Sequence, residues 1–135
     1  FEVGGQILDA GLVPMLEPEY DITAADRAEG EKILLDELMK GLDQLGDRKV
    51  MLKLSIPVEP GLYAPAIAHP NVLRVVALSG GYSTDDACAH LARNPGMIAS
   101  FSRGLLQDLR AQQSDAEFDG ALGAAIDQIH AASVA

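Results

Sequence analysis

The sequence predicts an α/β fold built on a parallel β-sheet. Four short apolar runs, rich in Val, Ile, Leu or Met, lie at residues 12–16, 50–54, 73–78 and 97–101. Near-continuous rather than alternating hydrophobicity is typical of strands covered on both faces, as in parallel sheets. Helical patterns follow the runs, so strand and helix alternate four times, in units of the size of βα repeats. Four such units form either a small doubly wound sheet or half of an eight-stranded barrel.

The first two predicted helices follow the first two strands. Residues 25–45 carry apolar side chains at spacings of three and four, which indicates a helix with one face in the core. This stripe consists of Leu34, Leu35, Leu38, Met39 and Leu42. A weaker helix is predicted after Tyr63, ending near Pro70.

The last two predicted helices are marked by capping residues. Ser83 offers an N-cap for a helix that runs to about Asn94. Ser114 and Glu117 have the spacing of a capping box, which predicts a final helix. Its apolar stripe is Phe118, Leu122, Ile126 and Ile129.

Composition limits the classes of function. At 135 residues the chain has the size of one domain, and we expect residues 1–135 to form a single one. A formal net charge of -10 argues against a nucleic-acid-binding surface. The single cysteine, Cys88, cannot form an internal disulfide, which fits a cytoplasmic setting. We expect neither a membrane span nor a metal site, because no apolar run is long enough and no Cys/His cluster has ligand spacing.

Lys53 is the first candidate for chemistry. It lies between Leu52 and Leu54 in an otherwise apolar run, and burial there favours the neutral, nucleophilic amine. Glu17 and Glu19 end the preceding strand and share one face if the chain is extended, which suits proton transfer. The alternative is structural: Lys53 pairs with one of these carboxylates or lies at a strand edge with its charge in solvent.

A phosphate-binding site is the second candidate. Ser79, Gly80 and Gly81 follow the third strand and precede a helix, so their backbone N–H groups can face an anion. Ser102 and Arg103 follow the next strand, and a guanidinium can clamp the same anion. Two glycines in a turn are also common for geometric reasons alone.

Taken together and in order, four segments resemble class I fructose-bisphosphate aldolases, most closely the bacterial branch. They are Val-Pro-Met-Leu-Glu-Pro-Glu at 13–19, Met-Leu-Lys-Leu-Ser-Ile-Pro at 51–57, Leu-Ser-Gly-Gly at 78–81 and Ala-Ser-Phe-Ser-Arg at 99–103. The resemblance runs over nearly the whole chain. It implies a TIM (β/α)8 barrel of which this chain supplies the last four βα units, the C-terminal half.

The resemblance also assigns roles to individual residues. Lys53 corresponds to the lysine that forms the Schiff base, Glu17 to the glutamate that handles protons during imine chemistry, and Glu19 to its neighbouring acid. Ser79, Gly80 and Gly81 correspond to the loop that binds the ketose phosphate, and Ser102 and Arg103 to the serine and arginine that bind it. No cofactor or metal is implied.

The expected activity is reversible cleavage of fructose 1,6-bisphosphate into dihydroxyacetone phosphate and glyceraldehyde 3-phosphate. The family's first barrel half, with its aspartate for carbon–carbon cleavage, is absent from this sequence. The alternative is therefore a non-catalytic phosphosugar-binding or assembly fragment. Expected partners are a phosphorylated ketose or triose, and either a second copy of the chain or the missing half.

Overall fold

A four-stranded parallel sheet forms the centre of the computed structural model, which describes all of residues 1–135. The strands lie side by side in chain order: β1 (Met15–Leu16), β2 (Val50–Ser55), β3 (Val72–Leu78) and β4 (Met97–Ala99). The register places Lys53 opposite Val76 and Val76 opposite Ile98. The predicted α/β fold with a parallel sheet is confirmed.

Six helices accompany the sheet: α1 (Glu2–Asp9), α2 (Arg27–Asp43), α3 (Ala64–Ile67), α4 (Thr84–Leu91), α5 (Arg103–Leu106) and α6 (Asp115–Ser133). The helices predicted from the sequence are α2, α3, α4 and α6. The sequence patterns did not identify α1 and α5. None of the helices is both long and apolar enough to cross a membrane.

The expectation that the chain supplies half of a TIM barrel is wrong. In a closed barrel every strand has two neighbours, whereas here β1 pairs only with β2 and β4 pairs only with β3. The sheet is therefore open, with two edges, and the chain forms a compact α/β domain around it. Repeating βα units are common to both architectures, which is why the sequence pattern did not distinguish them.

One hydrophobic cluster of 17 buried residues joins the sheet to the helices. Leu38 and Leu42 of α2 contribute to it, and so do Leu52 and Leu54 of β2. Since successive side chains of a strand point to opposite faces, Lys53 lies on the face away from this cluster. The alternation of β2 thus separates packing residues from the candidate nucleophile.

Both predicted caps are present. The Ser83 side chain accepts a hydrogen bond from the Asp86 backbone N–H at the start of α4. At the start of α6, Ser114 and Glu117 form the reciprocal capping box. The stripe predicted for α6 is only partly covered, because Phe118 and Ile126 remain exposed.

We expect Leu42→Ala to destabilise the fold far more than Ile33→Ala, although both lie on α2. Leu42 is fully buried, so truncation leaves a cavity and should cost about 2–5 kcal/mol. Ile33 is 58% exposed, and its truncation should change stability by less than about 0.5 kcal/mol. Urea unfolding followed by circular dichroism measures both, and equal losses would contradict the described packing of α2.

Candidate functional site

A polar cleft of about 120 Å³ lies at the carboxyl ends of the strands. All residues predicted for the site line it except Gly81, which follows Gly80 directly in the chain. The lining set is Glu17, Glu19, Lys53, Leu78, Ser79, Gly80, Ser100, Ser102 and Arg103. Residues far apart in sequence meet here because parallel strands end at the same edge of the sheet.

Lys53 and Glu17 form an ion pair in this cleft, with Lys53 Nζ at 2.8 Å from Glu17 Oε1. Glu17 directly follows β1 and Lys53 lies on the neighbouring β2, so the sheet itself places them side by side. The Lys53 side chain is 19% exposed, hence partly rather than completely buried, and that of Glu17 is 47% exposed. The pair permits proton exchange between amine and carboxylate, and it also fits the structural alternative.

The segment that carries Glu17 and Glu19 is fastened to β2 by hydrogen bonds between the Tyr20 backbone and the Ser55 side chain. The Tyr20 N–H donates to Ser55 Oγ at 2.9 Å, and this hydroxyl donates to the Tyr20 carbonyl at 3.0 Å. Ser55 is buried at the end of β2. The backbone that carries the two acids is therefore held beside β2, although both Glu17 and Glu19 are exposed.

The loop after β3 follows a backbone path that requires glycine. Gly80 and Gly81 have φ angles of 61° and 97°, in the region that favours glycine. A Cβ on Gly80 would approach Ile22 Cγ2 to 2.9 Å, so the backbone packs too closely for a side chain. Neither glycine N–H donates to another group of the chain. These two donors are free for a ligand.

Arg103 supplies a cation on the same side of the cleft. It is the first residue of α5, it is exposed, and it forms no ion pair within the chain. Ser100 and Ser102 line the cleft beside it. A guanidinium, two serines and the backbone of Gly80 therefore line one cleft, a combination that suits phosphate recognition.

Two features of the site region were not identified from the sequence. The first is Ser100, which lines the cleft because it directly follows β4, and the end of β4 at Ala99 is known only from the structure. The second feature is a buried ion pair between Arg27 and Glu31 on α2. The spacing of four on a helix was the available signal for this pair.

A larger groove of about 820 Å³ lies along α2, away from the predicted residues. Its carboxylates are Asp26, Glu29 and Asp36, and its one lysine, Lys32, pairs with Glu59 at 3.0 Å. The groove is wide and open, and it has no unpaired cation beside a nucleophile. The smaller cleft is the better candidate because its groups are chemically complementary.

The three histidines, His69, His90 and His130, lie outside the cleft, and His69 pairs with Asp43 at 3.1 Å. No group of three or more His, Cys, Asp or Glu side chains is arranged to hold a metal ion. Compared with models of known protein families, the chain matches none. The resemblance to class I aldolases therefore stays a prediction from the sequence motifs.

We expect Arg103→Ala to weaken binding of dihydroxyacetone phosphate by roughly ten- to a hundredfold, because it removes charge-assisted hydrogen bonds to the phosphate. Binding of unphosphorylated dihydroxyacetone should change little. Calorimetry on both ligands measures the difference.

Arg110→Ala is the matched control, since it makes the same change in net charge. Arg110 donates to the carbonyls of Gln107 and Leu109, outside the cleft. An equal loss of affinity in both variants would show that overall charge, and not a local clamp, attracts the phosphate.

Proposed function

We propose that this protein is a class I, Schiff-base-forming fructose-bisphosphate aldolase. The reaction is the reversible cleavage of fructose 1,6-bisphosphate into dihydroxyacetone phosphate and glyceraldehyde 3-phosphate. The observation that carries the proposal is the Lys53–Glu17 pair at 2.8 Å in one cleft with the Gly80 loop and Arg103. A nucleophile, a proton carrier and anion donors lie together, as a phosphorylated ketose requires.

In the first stage Glu17 accepts a proton from the Lys53 ammonium, and the free amine adds to the ketone carbon of the substrate. The resulting carbinolamine loses its hydroxyl group as water after Glu17 returns a proton to it. The product is a protonated imine between Lys53 and the former ketone carbon. The short distance between the two side chains supports transfer in both directions.

The protonated imine then acts as the electron sink for cleavage. Glu17, a carboxylate again after the loss of water, takes the proton of the C4 hydroxyl as the bonding pair between C3 and C4 moves towards the imine nitrogen. The aldehyde leaves, and an enamine remains on Lys53. Protonation of the enamine and hydrolysis of the imine release dihydroxyacetone phosphate and regenerate the lysine. Glu19 lies next to Glu17 in the cleft and acts with it as the second carboxylate of the site.

The phosphate donors determine which ketone reaches Lys53. Ser79, Gly80, Gly81, Ser102 and Arg103 bind the phosphate next to the ketone carbon. Holding the phosphate there presents the carbonyl to the amine, and orientation of this kind lowers the barrier to addition. The two cations of the cleft, Lys53 and Arg103, offset its two carboxylates, so the cleft itself adds nothing to the repulsion that the chain's net charge of -10 exerts on an anionic substrate.

The proposed partners and location follow from the same chemistry. The partner is a phosphorylated ketose or triose, with a second copy of the chain as a further partner, and the acidic charge opposes binding of nucleic acid. Cys88 is unpaired and buried, in keeping with a reducing, cytoplasmic setting.

A second candidate function is non-catalytic binding of a phosphosugar. The observation in its favour is again the ion pair, because a lysine kept for structure has a carboxylate partner of this kind. In that case Lys53 contributes only to stability, and the phosphate donors alone perform the function.

Borohydride trapping distinguishes the two functions. In the protein that contains this chain, reduction in the presence of dihydroxyacetone phosphate should attach the triose to Lys53. Lys53→Arg should abolish both adduct and cleavage, because a guanidinium remains protonated and cannot attack. Mass spectrometry of peptides locates the adduct, and a coupled assay measures cleavage.

Lys40→Arg is the matched control, since Lys40 is exposed, pairs with Glu37 and lies outside the cleft. An adduct found only at Lys32, Lys40 or Lys49 would contradict the assignment. Lys53→Met tests the structural role: a folded but inactive variant supports catalysis, and retained activity with altered stability supports the second candidate.

A further inference from the structure

The Arg27–Glu31 pair is the most completely buried set of charged groups in the chain. Arg27 is 4% exposed and Glu31 is fully buried, and Arg27 Nε donates to Glu31 Oε1 at 2.7 Å. Removing two charges from water is costly, and an ion pair recovers that cost only with good geometry and further hydrogen bonds. Such a pair at the start of α2 calls for a structural or functional reason.

The hydrogen bonds of this pair reach two of the loops that carry the candidate site. Arg27 Nη2 donates to the carbonyl of Ile56, just beyond β2 and Lys53. Arg27 Nη1 donates to the Tyr82 hydroxyl at 2.8 Å, on the loop that holds Ser79 and Gly80.

The carboxylate extends the same network. Glu31 Oε2 accepts from the Val58 N–H at 2.9 Å, which adds a second bond to the loop after β2. Burial opposes the charge on Arg27, but hydrogen bonds with Tyr82 and Glu31 outweigh it and raise the pKa of the guanidinium. Burial, assisted by Glu31, also raises the pKa of Tyr63, whose hydroxyl has no hydrogen-bond partner.

The Tyr82 bond matters most for the anion site. Tyr82 follows Gly81, and its own N–H donates to the Ser79 carbonyl at 3.0 Å, which closes the loop into a turn. The glycines of that turn have no side chains with which to hold their position. The hydrogen bond between buried Arg27 and the Tyr82 side chain can therefore fix the orientation of the free Gly80 and Gly81 N–H groups.

We propose that Arg27 is a positioning residue that aims the phosphate-binding loop through its hydrogen bond to the Tyr82 hydroxyl. It touches no substrate and lies outside the cleft. The inference rests on the proposed function, because it assigns a second layer of residues to the same phosphate site. The buried network around Arg27 therefore contributes to affinity for the phosphate and not only to stability.

The test compares Tyr82→Phe and Arg27→Lys with the unmodified protein by borohydride trapping at Lys53. Tyr82→Phe removes only the hydroxyl that accepts from Arg27, and Arg27→Lys keeps the charge without the planar fork. The concentration of dihydroxyacetone phosphate for half-maximal trapping should rise about three- to tenfold in both variants. For dihydroxyacetone, which lacks the phosphate, it should stay unchanged, and so should the trapping rate at saturation.

Two further comparisons separate positioning from stability. The double variant should need no higher concentration of dihydroxyacetone phosphate for half-maximal trapping than Arg27→Lys alone. The reason is that both changes remove the same hydrogen bond, from residue 27 to the Tyr82 hydroxyl. Arg48→Lys, at an exposed arginine paired with Asp9, is the control and should leave trapping unchanged. Should Arg27→Lys fail to fold, the Tyr82→Phe result decides by itself.

A fall in melting temperature with unchanged half-maximal concentrations would overturn the inference, since the network would then serve stability alone. Equal weakening for dihydroxyacetone and its phosphate would overturn it as well. Absence of any Lys53 adduct in the unmodified protein would reject the proposed function and this inference together. If the unmodified protein forms the Lys53 adduct and Tyr82→Phe leaves the half-maximal concentration of dihydroxyacetone phosphate unchanged, only the inference is rejected.

Discussion

The arrangement of the loops around the sheet depends on the buried ion pair between Arg27 and Glu31. The pair begins α2 and binds the segment after β2 through Ile56 and Val58 and the segment after β3 through Tyr82. Removing one partner of such a pair typically costs about 3–5 kcal/mol, because the other charge is left buried alone. The two segments held in this way follow β2, which carries Lys53, and β3, which ends just before Ser79. Stability and the geometry of the cleft therefore depend on one set of contacts.

The cleft holds as many cations as carboxylates, on a chain that is acidic overall. Lys53 and Arg103 face it together with Glu17 and Glu19, while the net charge of the chain is -10. An anion approaching such a molecule is repelled at long range and held only where donors converge. Gly80 also lines the cleft, and its backbone N–H group adds a donor without adding a titrating group. Recognition here would rest on a few placed donors and not on a wide basic surface.

Much of the fold could be predicted because the signals were local. The stripe on α2, the Ser83 cap and the Ser114 capping box depend on residues three or four apart, and the structure has all of them. The strand predictions were less accurate at the edges. Leu12 and Val13 are apolar but exposed, and β1 is only Met15–Leu16, since an edge strand has a partner on one side alone. The helix α5 was missed because four residues leave no periodic pattern to detect.

The sequence by itself determined the α/β class, the order of the elements and the kinds of side chain at the strand ends, because these follow from periodicity, caps and residue chemistry within short windows. Only the tertiary structure decided that the sheet stays open, that Lys53 pairs with Glu17 and not Glu19, and that Arg27 reaches Tyr82. Closure depends on whether β1 and β4 find second neighbours, which no local pattern encodes. The pairings depend on strand register and loop path, which place residues up to 55 positions apart within hydrogen-bonding distance.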